Sequence, residues 1–224
     1  MVGIIPLVTE PMDFRMDWHD SLMPIAPNYY AIERAVLECA YAGCKTIWIV
    51  ANDDATPLIR HRIGDYVQDP VWLKRKGRFP SNKRTLLPVF YVPIPPDDKN
   101  KEYCVSWTII KGASVAREVG GSLSKWLQPG LFYTAFPHSV YPADFLRPHR
   151  QDIIKKDNFF LSHSGKSVGT GNLLGFTFNS DQFDSITEQF NKVENNLLFG
   201  QELENEKEYF RDNFSLDKVF SCVI

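Results

Sequence analysis

The sequence predicts an α/β protein with a mostly parallel central sheet flanked by helices. Residues 3–54 show the pattern of a strand, an irregular loop, a helix, a second strand and an acidic turn. Two strands joined by a helix imply a right-handed parallel crossover. Strand and helix patterns continue to alternate up to about residue 154, which extends the sheet to at least four strands.

Three segments define the first crossover. Residues 3–8 are a short apolar run suited to a buried strand. Residues 30–41 place their apolar side chains on one helical stripe, and Gly43 supplies the left-handed residue that ends such a helix. Residues 46–51, TIWIVA, are apolar almost throughout, which is typical of a strand covered on both faces.

The next elements follow from the same periodicities. We expect a helix over 57–67, a strand over 86–94, a helix over 106–119, a strand over 130–136 and a short helix over 143–154.

The alternation of strand and helix patterns ends in the last third of the chain. A hairpin is expected near residues 158–178, turning at 164–166 and ending in a strand over 173–178. Two helices follow within residues 180–224, the second around 216–220. No internal repeat or linker is evident, so we expect one domain over residues 1–224, with the C-terminal helices packed on it.

Composition and charge bear on whether the chain binds nucleic acid or a membrane. The 224 residues are 44% hydrophobic and 23% charged, with a formal net charge of -2, so nothing draws the whole chain to nucleic acid or to an anionic membrane. No apolar run reaches the roughly 18 residues that span a bilayer, and no secretory signal is evident at the start. The four cysteines lack paired spacing, which favours reduced thiols in the cytoplasm, or in the host cytoplasm for a viral protein.

Polar residues follow the strand over 46–51. Asn52, Asp53 and Asp54 are placed where open α/β sheets bind their ligands, so they are candidates to hold a ribose or a metal ion. The other interpretation is structural, because Asp53 or Asp54 would also serve to cap the next helix.

Two further segments have both a functional and a structural interpretation. The run KRKGRFPSNKR, residues 74–84, carries six basic residues that suit phosphate contacts or a solvated loop. The triplet Gly165, Lys166 and Ser167 resembles part of a phosphate-binding loop, but Phe160 stands where such a loop has its first glycine. We interpret the triplet as a turn.

The order of these segments resembles the core of the sugar-1-phosphate nucleotidyltransferases, whose fold is a Rossmann-like glycosyltransferase A-type sheet. Residues 22–26, within LMPIAP, take the place of that family's leucine, proline and valine segment, and residues 32–50 match its next helix and strand. SWTIIKGASVA, residues 106–116, takes the place of the helix that begins next to the nucleobase. The resemblance covers residues 2–190, and the chain is also similar to nucleotidyltransferase-like proteins of large tailed phages.

The resemblance implies a protein that transfers a nucleotidyl group to a sugar phosphate, or handles a nucleotide sugar, with Mg²⁺ as cofactor. We assign three groups of candidate residues on this basis. The catalytic candidates are Arg15, Asp53 and His138. The nucleotide-binding candidates are Asn52, Ser106, Trp107 and Lys111, and the metal-binding candidates are Asp54 and Asp144.

The chain departs from the family at the sites of its chemistry. Where the family has a glycine-rich loop, residues 9–21 read TEPMDFRMDWHDS without a glycine, and Asp20 takes the place of a lysine. Bulky and acidic residues repel a triphosphate that glycine amides would bind. Pro137 and His138 stand where the family has its metal-binding aspartate, and imidazole is a poor ligand for Mg²⁺.

Two hypotheses therefore stay open. One is an enzyme of nucleotidyl transfer. The other is a non-catalytic descendant of the fold that binds a nucleotide sugar, a protein partner or a second copy, including an assembly role in a phage. Exposed aromatic residues at Trp72, Trp107 or Trp126 would favour an interaction surface.

Overall fold

The computed structural model describes residues 1–7, 18–73, 85–95, 98, 101, 104–155, 158–198 and 206–221. The strands are β1 (Val2–Pro6), β2 (Pro24–Ala26), β3 (Tyr29–Tyr30), β4 (Thr46–Ala51), β5 (Tyr66–Gln68), β6 (Leu86–Pro93), β7 (Leu131–Thr134) and β8 (Phe176–Asn179). The helices are α1 (Ala31–Ala42), α2 (Thr56–Ile63), α3 (Pro70–Leu73), α4 (Val105–Leu123), α5 (Arg150–Lys155), α6 (Ser180–Leu198), α7 (Glu206–Asn213) and α8 (Leu216–Val219). Short 3-10 turns cover Asp20–Leu22, Lys125–Leu127, Ala143–His149 and Val168–Thr170.

Six strands form the central sheet in the order β5-β6-β4-β1-β7-β8. The four inner strands are parallel, and β5 and β8 are antiparallel strands at the two edges. β1 lies in the middle, with Ile4 paired to Trp48 on one side and to Thr134 on the other. The structure confirms the prediction of a mostly parallel sheet flanked by helices.

Helices cover both faces of the sheet, and each face has its own apolar core. On one face, α1, α2 and α5 pack through Ile32, Ile59 and Ile153. On the other face, α4 and the C-terminal helices pack through side chains that include Ile109, Phe183, Phe190, Phe210 and Phe220. Crossovers through α1 and through α4 therefore lie on opposite faces.

Local signals explain the bounds of α1. The Glu33 carboxylate accepts a hydrogen bond from the Tyr30 amide at 2.8 Å, which satisfies a donor at the start of the helix. Gly43 ends it with a φ of 102°, and its amide donates to the carbonyls of Cys39 and Ala40. This confirms the terminator predicted at Gly43, since the left-handed region favours glycine.

Two helix predictions need correction. The helix predicted over 57–67 ends at Ile63, because Gly64 has a φ of 80° and the next residues pair with β6 as β5. The helix predicted over 143–154 is a 3-10 turn followed by α5, since Pro148 lies inside it and has no amide hydrogen. α7 was not predicted.

The hairpin predicted near residues 158–178 is present in a short form. Ser164 and Gly165 have φ angles of 51° and 75° in the turn, and His163 and Lys166 form a bridge across it. This confirms the turn interpretation of the Gly-Lys-Ser triplet. The strand after the hairpin begins at Phe176 and not at residue 173.

No helix in the described part of the chain is long and apolar enough to cross a membrane.

Candidate functional site

The order of the inner strands marks one place on the sheet where ligands bind in folds of this class. β4 and β6, which follow β1 in the sequence, lie on one side of β1 in the sheet. The next parallel strand, β7, lies on the other side of β1. Open α/β sheets bind ligands at the carboxyl ends of their strands, at the point where the order reverses. In this protein that point is the crevice between the ends of β1 and β7. We call this end of the sheet the carboxyl edge.

Asn52 organises the turn at the end of β4. Its Oδ1 accepts a hydrogen bond from the Ala55 amide at 3.0 Å, and its carbonyl accepts from the amide and the hydroxyl of Thr56. Ala55 is the cap residue of α2 and has no side-chain cap. The prediction that Asp53 or Asp54 caps this helix is therefore wrong, because Asn52 holds the turn. Both carboxylates are exposed at the carboxyl edge.

Two histidines lie on the connections that follow β1 and β7. His138 follows β7, and His19 comes from the connection after β1, close enough for the two rings to interact electrostatically. The Ser21 amide donates to Nδ1 of His19 at 3.1 Å, and the Ser21 hydroxyl lies 2.8 Å from the same nitrogen. Because Nδ1 accepts, the neutral ring carries its proton on Nε2.

Burial sets the charge of His19. It lowers the pKa of this imidazole below 6.5, and the neighbouring His138 lowers it further, whereas Asp20 acts in the opposite direction. His19 is therefore neutral at pH 7. The sequence placed His138 at this edge but contained no signal that joins it to His19, because their proximity depends on β1 and β7 being neighbours.

The amino end of α4 lies at the same edge, after β6. Cys104 is its cap residue and makes no side-chain cap. Ser106 is fully buried, and its Oγ has no partner among the described residues. Trp107 is also in the core, 6% exposed. The nucleotide contacts of Ser106 and Trp107 therefore stay predictions.

Lys111 extends from α4 toward the connection that precedes it. Its Nζ lies 5.7 Å from the centroid of the Trp107 ring and 3.5 Å from a carboxylate oxygen of Asp98. Lys101 contacts the other oxygen of Asp98 at 3.1 Å. Two lysines therefore contact one aspartate near the carboxyl edge.

A cavity of about 140 Å³ lies between the amino end of α4 and the C-terminal helices. Its walls are formed by Cys104, Val105, Gly171, Leu173, Arg211, Phe214, Ser215, Leu216 and Asp217. Burial raises the pKa of the Cys104 thiol to about 11, against the backbone amides of Trp107 and Ser106. The thiol lies 3.6 Å from the Phe214 carbonyl. It stays protonated at neutral pH and is not an activated nucleophile.

Asp144 lies at the other end of the sheet. It is near Tyr41, whose pKa is raised by burial and then by this carboxylate. Tyr41 is in the last turn of α1, just before β4 begins, whereas Asp54 follows the end of β4. A six-residue strand is roughly 20 Å long, so the structure does not bring Asp54 and Asp144 together.

The two candidate metal ligands therefore do not form one site. Within the described ranges, no three His, Cys, Asp or Glu side chains are grouped to hold a metal ion. The described acidic residues do not fit a Mg²⁺ centre by themselves, and the need for Mg²⁺ stays a prediction. Arg15 and the basic run 74–84 lie outside the described residues.

Comparison with known proteins identifies the fold. No protein-family model matches the sequence, and no curated protein is similar to it in sequence. The fold is similar to the crystal structure of a Bacillus anthracis protein assigned as a glucose-1-phosphate thymidylyltransferase, in complex with sucrose. The TM-score is 0.50 with 11% identity, over 84% of this chain and 75% of that chain.

A second similar structure is a UDP-glucose pyrophosphorylase complexed with UDP-glucose. The TM-score is 0.46 with 10% identity, over 84% of this chain and 79% of that chain. The chain has a sugar-1-phosphate nucleotidyltransferase-like fold, as the sequence predicted.

Proposed function

We propose that this protein binds a nucleotide or a nucleotide sugar in the crevice between β1 and β7, and that it transfers a nucleotidyl group to a sugar phosphate there. One observation carries the proposal. His19 and His138 lie within electrostatic range of each other at the carboxyl edge, beside the point where the strand order reverses. Polar donors placed at that point suit a phosphate group.

The geometry suggests a role for His19. Its Nδ1 is occupied by Ser21, so Nε2–H is the donor that remains for a phosphate oxygen. In the transfer, a phosphate oxygen of the sugar phosphate attacks the α-phosphorus of the nucleotide. The bond to the β-phosphate breaks and pyrophosphate leaves. The chain's part is to position the phosphates, and the cation of Lys111 near the same edge supports that role.

A second function is favoured by a separate observation. The described residues contain no group of three His, Cys, Asp or Glu side chains that could hold a metal ion, and His138 stands after β7 where the family has an aspartate. A protein that binds the nucleotide sugar without turnover needs neither a carboxylate nor a metal at that point. Pyrophosphate release separates this function from the enzymatic one.

The binding site is tested by thermal unfolding with a panel of nucleoside triphosphates and nucleotide sugars, each with and without Mg²⁺. A ligand that binds the folded state raises the midpoint. We expect at least one member to do so, and His138→Asn and Asp53→Asn to reduce the shift. The matched controls His149→Asn and Asp152→Asn replace exposed residues elsewhere and should keep it.

The outcomes discriminate between the hypotheses. A shift with any of these ligands together with pyrophosphate release supports transfer, and a shift without release supports binding alone. No shift with any nucleotide or nucleotide sugar would overturn both. A shift that survives both site variants would place the ligand elsewhere on the protein.

A further inference from the structure

His138 lies in a tight turn after β7. The Ser139 amide donates to the Phe136 carbonyl at 3.2 Å, which closes a four-residue turn with Pro137 and His138 at its two central positions. Proline suits the first of these positions because its ring holds φ at about -65°. We call residues 136–139 the His138 turn.

Two further hydrogen bonds hold the His138 turn in place. The Ser139 hydroxyl donates to the Leu173 carbonyl, in the segment before β8. Nη2 of Arg34, near the amino end of α1, donates to the Phe136 carbonyl. That carbonyl therefore accepts one bond from within the turn and one from a cation, and hydrogen bonds from charged donors are the stronger kind.

The guanidinium of Arg34 is held in one orientation inside the protein. The side chain is 1% exposed, and its Nη1 donates to Glu38 Oε2 at 2.7 Å. Its central carbon lies 4.7 Å from the centroid of the Tyr141 ring. These contacts direct Nη2 toward the Phe136 carbonyl, and Arg34 is too buried to touch a ligand in the crevice.

Stability alone does not explain an arginine at this position. Burying two ions costs free energy, and well-packed apolar residues of similar volume often serve as well as a buried ion pair. An apolar pair has no donor for the Phe136 carbonyl. A lysine has a single nitrogen, which cannot take the positions of both Nη1 and Nη2, whereas the planar guanidinium reaches the carboxylate and the carbonyl at once.

We propose that Arg34 is a positioning residue, which holds the His138 turn against α1 and so fixes where the His138 imidazole lies, beside the crevice between β1 and β7. Arg34 acts through the Phe136 carbonyl and touches no ligand itself. Its effect on ligand binding rests on the proposed function. Its effect on the imidazole does not, so the two effects are tested separately.

NMR titration of the histidine rings tests the placement of His138 without any ligand. Burial lowers the pKa of His19 most, and the nearby His138 lowers it further. In Arg34→Lys the cation stays beside Glu38 but loses the Phe136 carbonyl, so the His138 turn is released. The pKa of His19 should then rise toward 6.5. His138→Asn gives the rise expected when the neighbouring ring is absent.

Arg150→Lys is the matched control. Arg150 also pairs with a buried carboxylate, that of Asp69, and donates to a backbone carbonyl, that of Ala40, at 3.1 Å. These contacts lie at the other end of the sheet, near the carboxyl end of α1. Arg150→Lys should therefore lower the unfolding midpoint but leave the pKa of His19 unchanged.

A double variant covers the case in which Arg34→Lys does not fold. Arg34→Met together with Glu38→Gln removes both charges, keeps the side-chain volumes similar and leaves an acceptor for the Tyr133 hydroxyl. It also removes the donor to the Phe136 carbonyl, so it should raise the pKa of His19 in the same way.

Thermal unfolding with the nucleoside triphosphates and nucleotide sugars tests the effect on binding. For each ligand that raises the midpoint, the two Arg34 variants should show a smaller rise, and Arg150→Lys should keep it. A pKa of His19 that neither Arg34 variant changes would overturn the proposal, and so would a ligand-induced rise that both variants keep in full. A changed pKa with no response to any ligand would confirm the placement and contradict the proposed function alone.

Discussion

Arg34 and Glu38 form an ion pair inside the protein, 1% and 0% exposed. Arg34 Nη1 donates to Glu38 Oε2 at 2.7 Å, and Nη2 donates to the Phe136 carbonyl. The Tyr133 hydroxyl donates to the other Glu38 oxygen at 2.7 Å. These contacts tie α1 to β7 and to the segment that leads to His138. The pair thus anchors one wall of the candidate site.

Removing one member of this pair leaves a buried charge without its counter-charge. We expect Glu38→Gln to lower the free energy of unfolding by about 3 kcal/mol or more. The exposed pair of Glu188 and Lys192 has the same i, i+4 spacing, and Glu188→Gln should change stability very little. Urea unfolding of both variants measures the difference, and equal losses would contradict the assignment.

His19 gives the protein a pH dependence of known sign. Its folded-state pKa lies below 6.5, so between these two values the unfolded chain binds more protons than the folded one. This contribution to stability is complete above pH 6.5 and is lost as the pH falls through the folded pKa.

His19→Asn tests this contribution, because asparagine keeps an acceptor for the Ser21 amide and does not titrate. The variant's unfolding free energy should fall less than that of the unaltered protein between about pH 7.5 and about pH 5. The measurement is a series of urea titrations across this range. Parallel curves for the two proteins would exclude a lowered pKa at His19.

At the scale of elements, α4 runs from the carboxyl edge to the opposite end of the sheet. Its amino end lies beside Lys111 and the cavity at Cys104, and its carboxyl end leads to the exposed side chain of Trp126. Gly112 lies between them and lets the helix approach the sheet. A Cβ added there would lie 2.6 Å from Val50 Cγ2 and 3.1 Å from Ile4 Cγ2.

Gly112→Ala should therefore destabilise the protein by about 1–3 kcal/mol through overpacking, although alanine is the better helix former. Gly121 is the matched control in the same helix. A Cβ at Gly121 would meet only the Gln128 side-chain amide, which can move away, so Gly121→Ala should keep or slightly raise stability. Thermal unfolding of the two variants in dilute solution gives the comparison. Equal effects would mean that α4 does not pack this closely on β1 and β4.

At the scale of the whole molecule, the sequence predicted the strands and helices better than it predicted which residues come together at the candidate site. A buried strand is visible in the sequence as a continuous apolar run, such as residues 46–51, and β4 has the predicted bounds. The proximity of His19 and His138 depends on β7 lying beside β1, and no local pattern in the sequence signals that adjacency. Asp144 lies far from Asp54 because the 3-10 turn that carries it packs near the carboxyl end of α1.

The position of β1 affects how the chain folds as it is synthesised. β1 is made before the other strands of its sheet, and its two neighbours are β4, which ends at Ala51, and β7, which ends at Thr134. At typical translation rates the ribosome needs on the order of 10 s to make the residues between β1 and β7. During that interval one edge of β1 has no strand to pair with. The crevice beside it therefore closes only after the chain has been made as far as Thr134.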